Sequence, residues 1–202
     1  MTNNKIITST LNYYNTKVLD FVSDTADVKF TEIQDVFLDY ITIGGRILDF
    51  GCGSGRDTKY FLNKGYDVDA IDGSEELCKI ASEYTGVNVK QMLFEELDAM
   101  ELYDGIWACA SILHMEKQHL PNILKRMEAA TKKGGVVYLS FKYGTFEGDK
   151  NGRYFTYLTE ESFKELLIDV QQLFIDKLWI TSDVRPGRGE EQWLNVVLRK
   201  LE

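Results

Sequence analysis

The residues whose types and spacing could do chemistry lie together in Ile47-Leu48-Asp49-Phe50-Gly51-Cys52-Gly53-Ser54-Gly55-Arg56-Asp57. An apolar run ends near Asp49, three glycines follow at alternate positions, and a helical pattern begins. Glycine has no Cβ and tolerates positive φ, so such a turn is tight and a ligand can lie against bare backbone. The N–H groups that open the next helix point into the same space. A second run, Val68-Asp69-Ala70-Ile71, closes on Asp72. A carboxylate there suits a ribose with both hydroxyls free. The pattern is that of a nucleotide-type turn at the carboxyl end of a first strand.

The spacing is G-x-G-x-G, not the G-x-G-x-x-G of dinucleotide turns, which argues against a nicotinamide dehydrogenase. With Asp49 ahead of it, the turn resembles motif I of the class I methyltransferases that use S-adenosylmethionine. Asp72-Gly73-Ser74 resembles that family's ribose acid and adenine edge. Leu102-Tyr103-Asp104-Gly105-Ile106-Trp107-Ala108 and Lys133-Gly134-Gly135-Val136-Val137 resemble its fourth strand and the turn into its fifth. The resemblance runs roughly from Ile41 to Trp193. It implies an α/β, Rossmann-like, doubly wound fold: a mostly parallel seven-stranded sheet with an antiparallel last strand.

The resemblance also implies roles. Backbone at Gly51, Cys52 and Gly53 would face the methionine part of the cofactor, and Asp72 would take both ribose hydroxyls. Gly73 and Ser74 would lie at the adenine edge, and Asp49 would order the loop and water near the amino group. Many members carry an aspartate shortly before a leucine after strand three. Aligning Leu97 with that leucine puts Leu93 where the aspartate would be, a departure. Phe94 is then the candidate to stack on the purine, with Glu95 accepting from its exocyclic amine. The bland alternative is Phe94 in the core and Glu95 in solvent.

Methyl transfer from a sulfonium is an in-line displacement, so catalysis rests on proximity, orientation and exclusion of water. A general base is needed only where the acceptor carries a proton that must leave. In the family, the segment Ala110-Ser111-Ile112-Leu113-His114-Met115 sits where methyl group and acceptor meet, which puts Ala110 beside the cofactor. His114, one of two histidines, is a candidate base or a packing residue. Arg56, Arg153, Arg185 and Arg188 lie in turns and loops, and glycine-flanked arginines suit bidentate recognition of oxyanions. Arg153, Arg185 and Arg188 are therefore the candidate acceptor contacts. The alternative is solvated charge paired with Glu190 or Glu191. For Tyr13-Tyr14 the resemblance implies part of an N-terminal lid, with Tyr14 against the cofactor, and the alternative is simple core packing.

Around these residues the chain alternates short apolar strands with amphipathic helices, the signature of a parallel sheet covered on both faces. Two helices are expected first, one with Tyr14, Val18, Phe21 and Val22 on a face, the other with Ile33, Val36, Phe37, Tyr40 and Ile41. Strands are predicted at Arg46 to Phe50, Val68 to Asp72, Val87 to Met92, Tyr103 to Cys109 and Val136 to Lys142. Tyr143 to Leu158 reads as a long loop. Two final strands, Phe174 to Ser182 and Trp193 to Arg199, read as an antiparallel pair closing the sheet edge. The 202 residues, with 44% hydrophobic and 27% charged content, suit one domain, with 1–43 as helices and candidate lid and 44–202 as the cofactor-binding core.

A net charge of −9 disfavours nucleic acid. The three cysteines have no metal-ligand spacing and suit reduced thiols in the cytoplasm. No metal site, membrane span or signal peptide is expected. The expected partner is a small, polar or anionic substrate, the protein being a monomer or homodimer. A non-catalytic S-adenosylmethionine-binding sensor is the rival reading.

Overall fold

The computed structural model describes residues 3–26, 28–185 and 187–202. Met1 and Thr2 of the start, and Pro186 of the arginine loop, lie outside the described residues. Among the described residues the order is α1 (Asn3–Thr16), α2 (Val18–Thr25), α3 (Thr31–Leu38), β1 (Arg46–Phe50), α4 (Arg56–Asn63), β2 (Asp67–Asp72), α5 (Glu75–Thr85), β3 (Lys90–Gln91), β4 (Tyr103–Ala108), α6 (Leu120–Ala130), β5 (Thr131–Lys142), β6 (Glu147–Lys150), β7 (Arg153–Thr156), α7 (Glu160–Leu166), β8 (Leu173–Ser182) and β9 (Gln192–Lys200).

Local chemistry sets several boundaries. Ser74 caps α5 by accepting from the Leu77 N–H, with Glu75 and Glu76 in the first turn, where the helix dipole favours acids. Gly86 ends that helix in the left-handed region. Thr159 and Ser162 cap α7 reciprocally through side chain and backbone. Pro121 sits in the first turn of α6, where a missing N–H is no loss.

Seven strands form one sheet in the order β3-β2-β1-β4-β5-β9-β8. Pairings from β3 to β5 are parallel, whereas β9 is antiparallel to both of its neighbours. The last strand therefore inserts between β5 and β8, and β8 forms the edge. On one face, α6 and α7 bury Leu120, Ile123, Leu124 and Phe163 against Leu48, Ile106 and Leu139. On the other, α3 and α4 bring Phe37 and Phe61 onto Trp107 and Tyr138, which stack at 4.0 Å. Both faces being covered explains the near-continuous apolar runs of the central strands. The order reverses at β1, between β2 and β4. In open α/β sheets the crevice beyond the strand ends at such a point is where ligands bind.

Four local expectations are corrected. Three helices, not two, precede the sheet, because the first breaks at Lys17. The Thr16 hydroxyl donates to the carbonyls of Asn12 and Tyr13 and competes with the helical ladder. The third strand shrinks to Lys90–Gln91. Before it, Val87 N and Val89 N donate to the Thr85 and Ser82 hydroxyls, so that backbone is tied to α5 rather than to a ladder. The fifth strand begins at Thr131, earlier than expected. The expected loop from Tyr143 to Leu158 contains an antiparallel hairpin, β6 with β7.

Candidate active site

The glycine turn is held from below. Gly51 N and Cys52 N both donate to the Ile71 carbonyl, at 3.0 and 2.9 Å, which ties the end of β1 to the end of β2. Gly51 has φ +87°, and a Cβ there would lie 2.6 Å from Ser111 Cβ. Only glycine lets the segment after β4 pack this closely on the turn. Asp72 then spans the gap: Oδ2 accepts from Gly53 N at 2.9 Å and Oδ1 from Ser74 N at 2.8 Å. Burial raises its pKa, against the backbone N–H groups that favour the charged form.

A single cleft runs along the carboxyl ends of the strands. On the β2 and β1 side it is lined by Gly51, Cys52, Gly53, Asp72 and Gly73, with Phe94 and Glu95 beyond. Phe94 also packs on Phe50, with ring centroids 4.8 Å apart. Ala110, in the left-handed region with φ 50°, and Ser111 form the middle. Ser111 is 7% exposed, and its buried Oγ has no protein partner. Leu11 and Tyr14 of α1 and Phe21 of α2 cover the cleft from the N-terminal side.

Two of the sequence-predicted residues lie outside the cleft lining. Asp49 is 2% exposed beneath the turn, where it accepts from the Thr58 hydroxyl. Burial, and next the Asp57 charge, raise its pKa, so it favours the neutral acid. Ser74 is fully buried, and besides capping α5 its hydroxyl donates to Asn15 Oδ1 of α1. It ties α1 to the start of α5 instead of facing the cleft.

His114 and Tyr14 meet across the cleft. His114 Nδ1 lies 2.7 Å from the Tyr154 carbonyl, which can only accept, so Nδ1 carries the proton. Nε2 then accepts from the Tyr14 hydroxyl at 2.8 Å. Burial lowers the His114 pKa to about 4, with the Tyr154 carbonyl opposing and Arg153 reinforcing the shift. The imidazole is neutral near pH 7 and both nitrogens are engaged, so the expectation of a ready base meets an occupied side chain. Arg153 lies over the rings of Tyr13 and Phe155, at 4.4 and 5.1 Å, beside Tyr14.

The β4, β5, β9 and β8 side of the cleft holds Cys109, Ser140, Lys142, Trp193 and Asp183, with Phe30 opposite. Its cations are already matched. Arg56 grips Asp57 through Nε and Nη2, at 2.7 and 2.9 Å. Asp57 also accepts from Gln34 Nε2 and Trp107 Nε1. Lys142 pairs with Glu191. Arg185 forks onto Asp183 and donates its backbone N–H there as well. The expectation that Arg185 is free for an acceptor is thus corrected: a carboxylate two residues away, 7% exposed, claims it. Arg188 also lines the cleft and makes no ion pair among the described residues. Sequence reasoning missed Phe30 and Trp193 as lining residues. Asp57, quoted only as the end of the turn, proves to be the hub of the far wall.

Among the described residues there is no cluster of His, Cys, Asp or Glu that could hold a metal. Nor is there a helix long and apolar enough to cross a membrane. The donor set fits an adenosyl cofactor bearing an amino-acid tail: a half-buried carboxylate oriented by backbone, an aromatic ring beyond it, and an unpartnered hydroxyl by the turn.

Comparisons with known proteins bear on the domain and its fold. A family profile for a methyltransferase domain matches residues 47–135. An uncharacterised methyltransferase of Staphylococcus carnosus is 27% identical over 150 residues, 69% of this chain and 71% of that one. The probable S-adenosyl-L-methionine-dependent methyltransferase TehB of Haemophilus influenzae is 30% identical over 95 residues, 45% of this chain but only 33% of its own. Among solved structures, the 1,6-didemethyltoxoflavin-N1-methyltransferase of Burkholderia thailandensis, with its substrate and S-adenosylhomocysteine bound, superposes with a TM-score of 0.81 at 21% identity. That likeness covers 100% of this chain and 92% of the other. What this chain shares with these proteins is the fold and the domain built over its glycine turn: residues 47–135 match a methyltransferase domain, and the sheet is that of S-adenosylmethionine-dependent methyltransferases.

Proposed function

We propose that the protein methylates a small polar molecule, with the cofactor on the β2 and β1 side of the cleft and the acceptor on the β4, β5 and β9 side. The observation that carries the division is Asp72: a half-buried carboxylate whose two oxygens are each fixed by one backbone N–H and keep lone pairs for a diol. When bound, S-adenosylmethionine supplies an activated sulfonium methyl group. Asp72 holds the ribose, Gly51, Cys52 and Gly53 offer bare backbone, and Phe94 and Glu95 bracket the base. Ala110 and Ser111 bound the space between the two ligands. Leu11, Tyr14 and Phe21 exclude water from above, which favours a displacement that needs proximity rather than covalent help. His114 positions Tyr14 through their hydrogen bond. Arg153 and Arg188 are the remaining cationic contacts for a polar acceptor.

The test is calorimetric titration with S-adenosylhomocysteine and with NAD, followed by a metabolite screen that reads S-adenosylhomocysteine formation. Binding of the first nucleoside but not of NAD, with turnover on a small molecule, is expected. Binding of NAD alone would overturn the assignment. Binding without turnover on any acceptor class would favour a sensor.

A further inference from the structure

From the far wall of the cleft we infer that the acceptor is a neutral, planar, hydrogen-bond-accepting ring compound, read by Arg56, and not a carboxylate. The inference rests on the cofactor assignment above and names the substrate class of the same site.

Four cations line this half of the cleft, and three of them come with their own anion. Arg56 is paired with Asp57, Arg185 with Asp183, and Lys142 with Glu191. A further carboxylate would have to displace one of these partners or add uncompensated negative charge beside it. Asp57 and Asp183 are 6% and 7% exposed and cannot turn out to water. Asp57 is also held by Gln34 and Trp107, and Asp183 by Trp193. Leaving either one unpaired would expose a buried charge, which is costly. Among the described residues Arg188 has no such anion, but it sits on the exposed rim.

Arg56 nevertheless has donors to spare. Asp57 takes Nε and Nη2, whereas Nη1 makes no hydrogen bond among the described residues and is not among the buried unpartnered atoms. The guanidinium is clamped on one edge by Asp57 and lies 4.8 Å over the Phe30 ring. Its free edge is therefore presented in a fixed orientation, in a residue that lines the cleft. A fixed, charge-balanced donor edge suits a carbonyl oxygen or a ring nitrogen lone pair. The rings of Phe21, Phe30 and Trp193, which line the same cleft, supply faces for a flat partner.

In the transfer, an acceptor ring nitrogen or oxygen forms the new bond to the methyl carbon. The carbon–sulfur bond breaks with its electron pair going to sulfur, leaving S-adenosylhomocysteine. The acceptor's own proton leaves to water.

Matched probes separate charge from shape: 4-quinolone against kynurenate, its 2-carboxylate, and pterin against pterin-6-carboxylate. Each is offered to the wild-type protein with S-adenosylmethionine. The neutral member of a pair is expected to exceed its carboxylate in kcat/KM by at least about tenfold. Arg56→Lys keeps a positive charge beside Asp57 but loses the rigid fork. It should raise KM for the neutral member by at least about tenfold, with S-adenosylhomocysteine affinity unchanged and a cooperative thermal transition showing that the variant is still folded. Three results would each overturn the inference: preference for the carboxylates, turnover of neither class by a protein that binds S-adenosylhomocysteine, or wild-type KM in a folded Arg56→Lys. Failure of the wild type to bind S-adenosylhomocysteine would instead overturn the cofactor assignment on which the inference stands.

Discussion

The Tyr14 hydroxyl donates to His114 Nε2 at 2.8 Å, joining positions 100 residues apart in the chain. Because His114 Nδ1 is spent on the Tyr154 carbonyl, this one contact couples α1, the segment after β4 and the β6–β7 hairpin. Three elements that share no strand pairing thereby close one wall of the cleft.

A histidine held this way does not act as a titrating base near neutral pH. Its folded pKa of about 4 lies below the ordinary value of 6.5. The pH profile of kcat should therefore show no inflection between about 6 and 8 that His114→Gln abolishes. The fall in turnover in that variant should stay below the roughly 10²–10⁴-fold of lost acid–base catalysis. Linkage adds a stability signature. Between pH 6.5 and about 4 the unfolded chain binds the proton more readily, so acidification across that window should destabilise the wild type, and His114→Gln should flatten the slope. An apparent pKa between 6 and 7 that disappears in the variant would contradict this.

Asp72→Asn should be a poor mimic despite its shape. Both carboxylate oxygens accept backbone N–H groups, so an amide NH₂ must face either Gly53 N or Ser74 N. A hydrogen bond to a charged group is worth about 1.5–3 kcal/mol. Affinity for S-adenosylhomocysteine should fall by at least about tenfold, one such contact's worth, and calorimetry showing wild-type affinity would remove Asp72 from the cofactor site.

Arg185→Ala and Arg188→Ala should part company. Burial tends to raise the Asp183 pKa, but the Arg185 fork, the Arg185 N–H and Trp193 outweigh it and hold the pKa at about 2. That stabilisation is present above the ordinary carboxylate pKa and is lost as pH falls toward 2. Removing Arg185 strips it and should cost about 1–3 kcal/mol, a fall of several degrees in Tm for a chain of this size. Arg188→Ala should leave Tm within a degree or so, as exposed substitutions do, and change only acceptor kinetics. Equal Tm values for the two variants would show that the Asp183 pair contributes nothing.

Asp49→Asn should stabilise the protein without its cofactor, and more so at pH 8 than at pH 5. Burial and then Asp57 raise the folded pKa of Asp49, so its contribution to stability is fully present only below the unfolded value of 3.8 and is lost as pH rises. An asparagine still accepts from Thr58 and has no proton to lose. Thermal unfolding at the two pH values checks this, and a variant less stable at pH 8 than the wild type would refute it.

By itself, the sequence determined the sheet and the glycine turn on which the proposed cofactor half rests. Both are written in local terms. Apolar runs ending in Asp49 and Asp72 mark strand ends, and alternate glycines mark a turn that needs positive φ, as Gly51 adopts. The Ser74 cap with its acidic first turn marks where α5 begins. The break at Lys17 and the shortened third strand were not legible, because side-chain hydroxyls of Thr16, Ser82 and Thr85 redirect backbone groups that the apolar pattern alone assigns to regular structure.

The charge pairing in the other half of the cleft was decided only by tertiary structure. Whether an arginine is a free ligand contact depends on which carboxylates fold beside it. Arg56 and Arg185 look as available in the sequence as Arg188, yet Asp57 and Asp183 claim the first two. The protonation of His114 likewise follows from desolvation and from a carbonyl 40 residues away. Charge pairing and burial are properties of three-dimensional neighbourhoods, so no spacing along the chain encodes them.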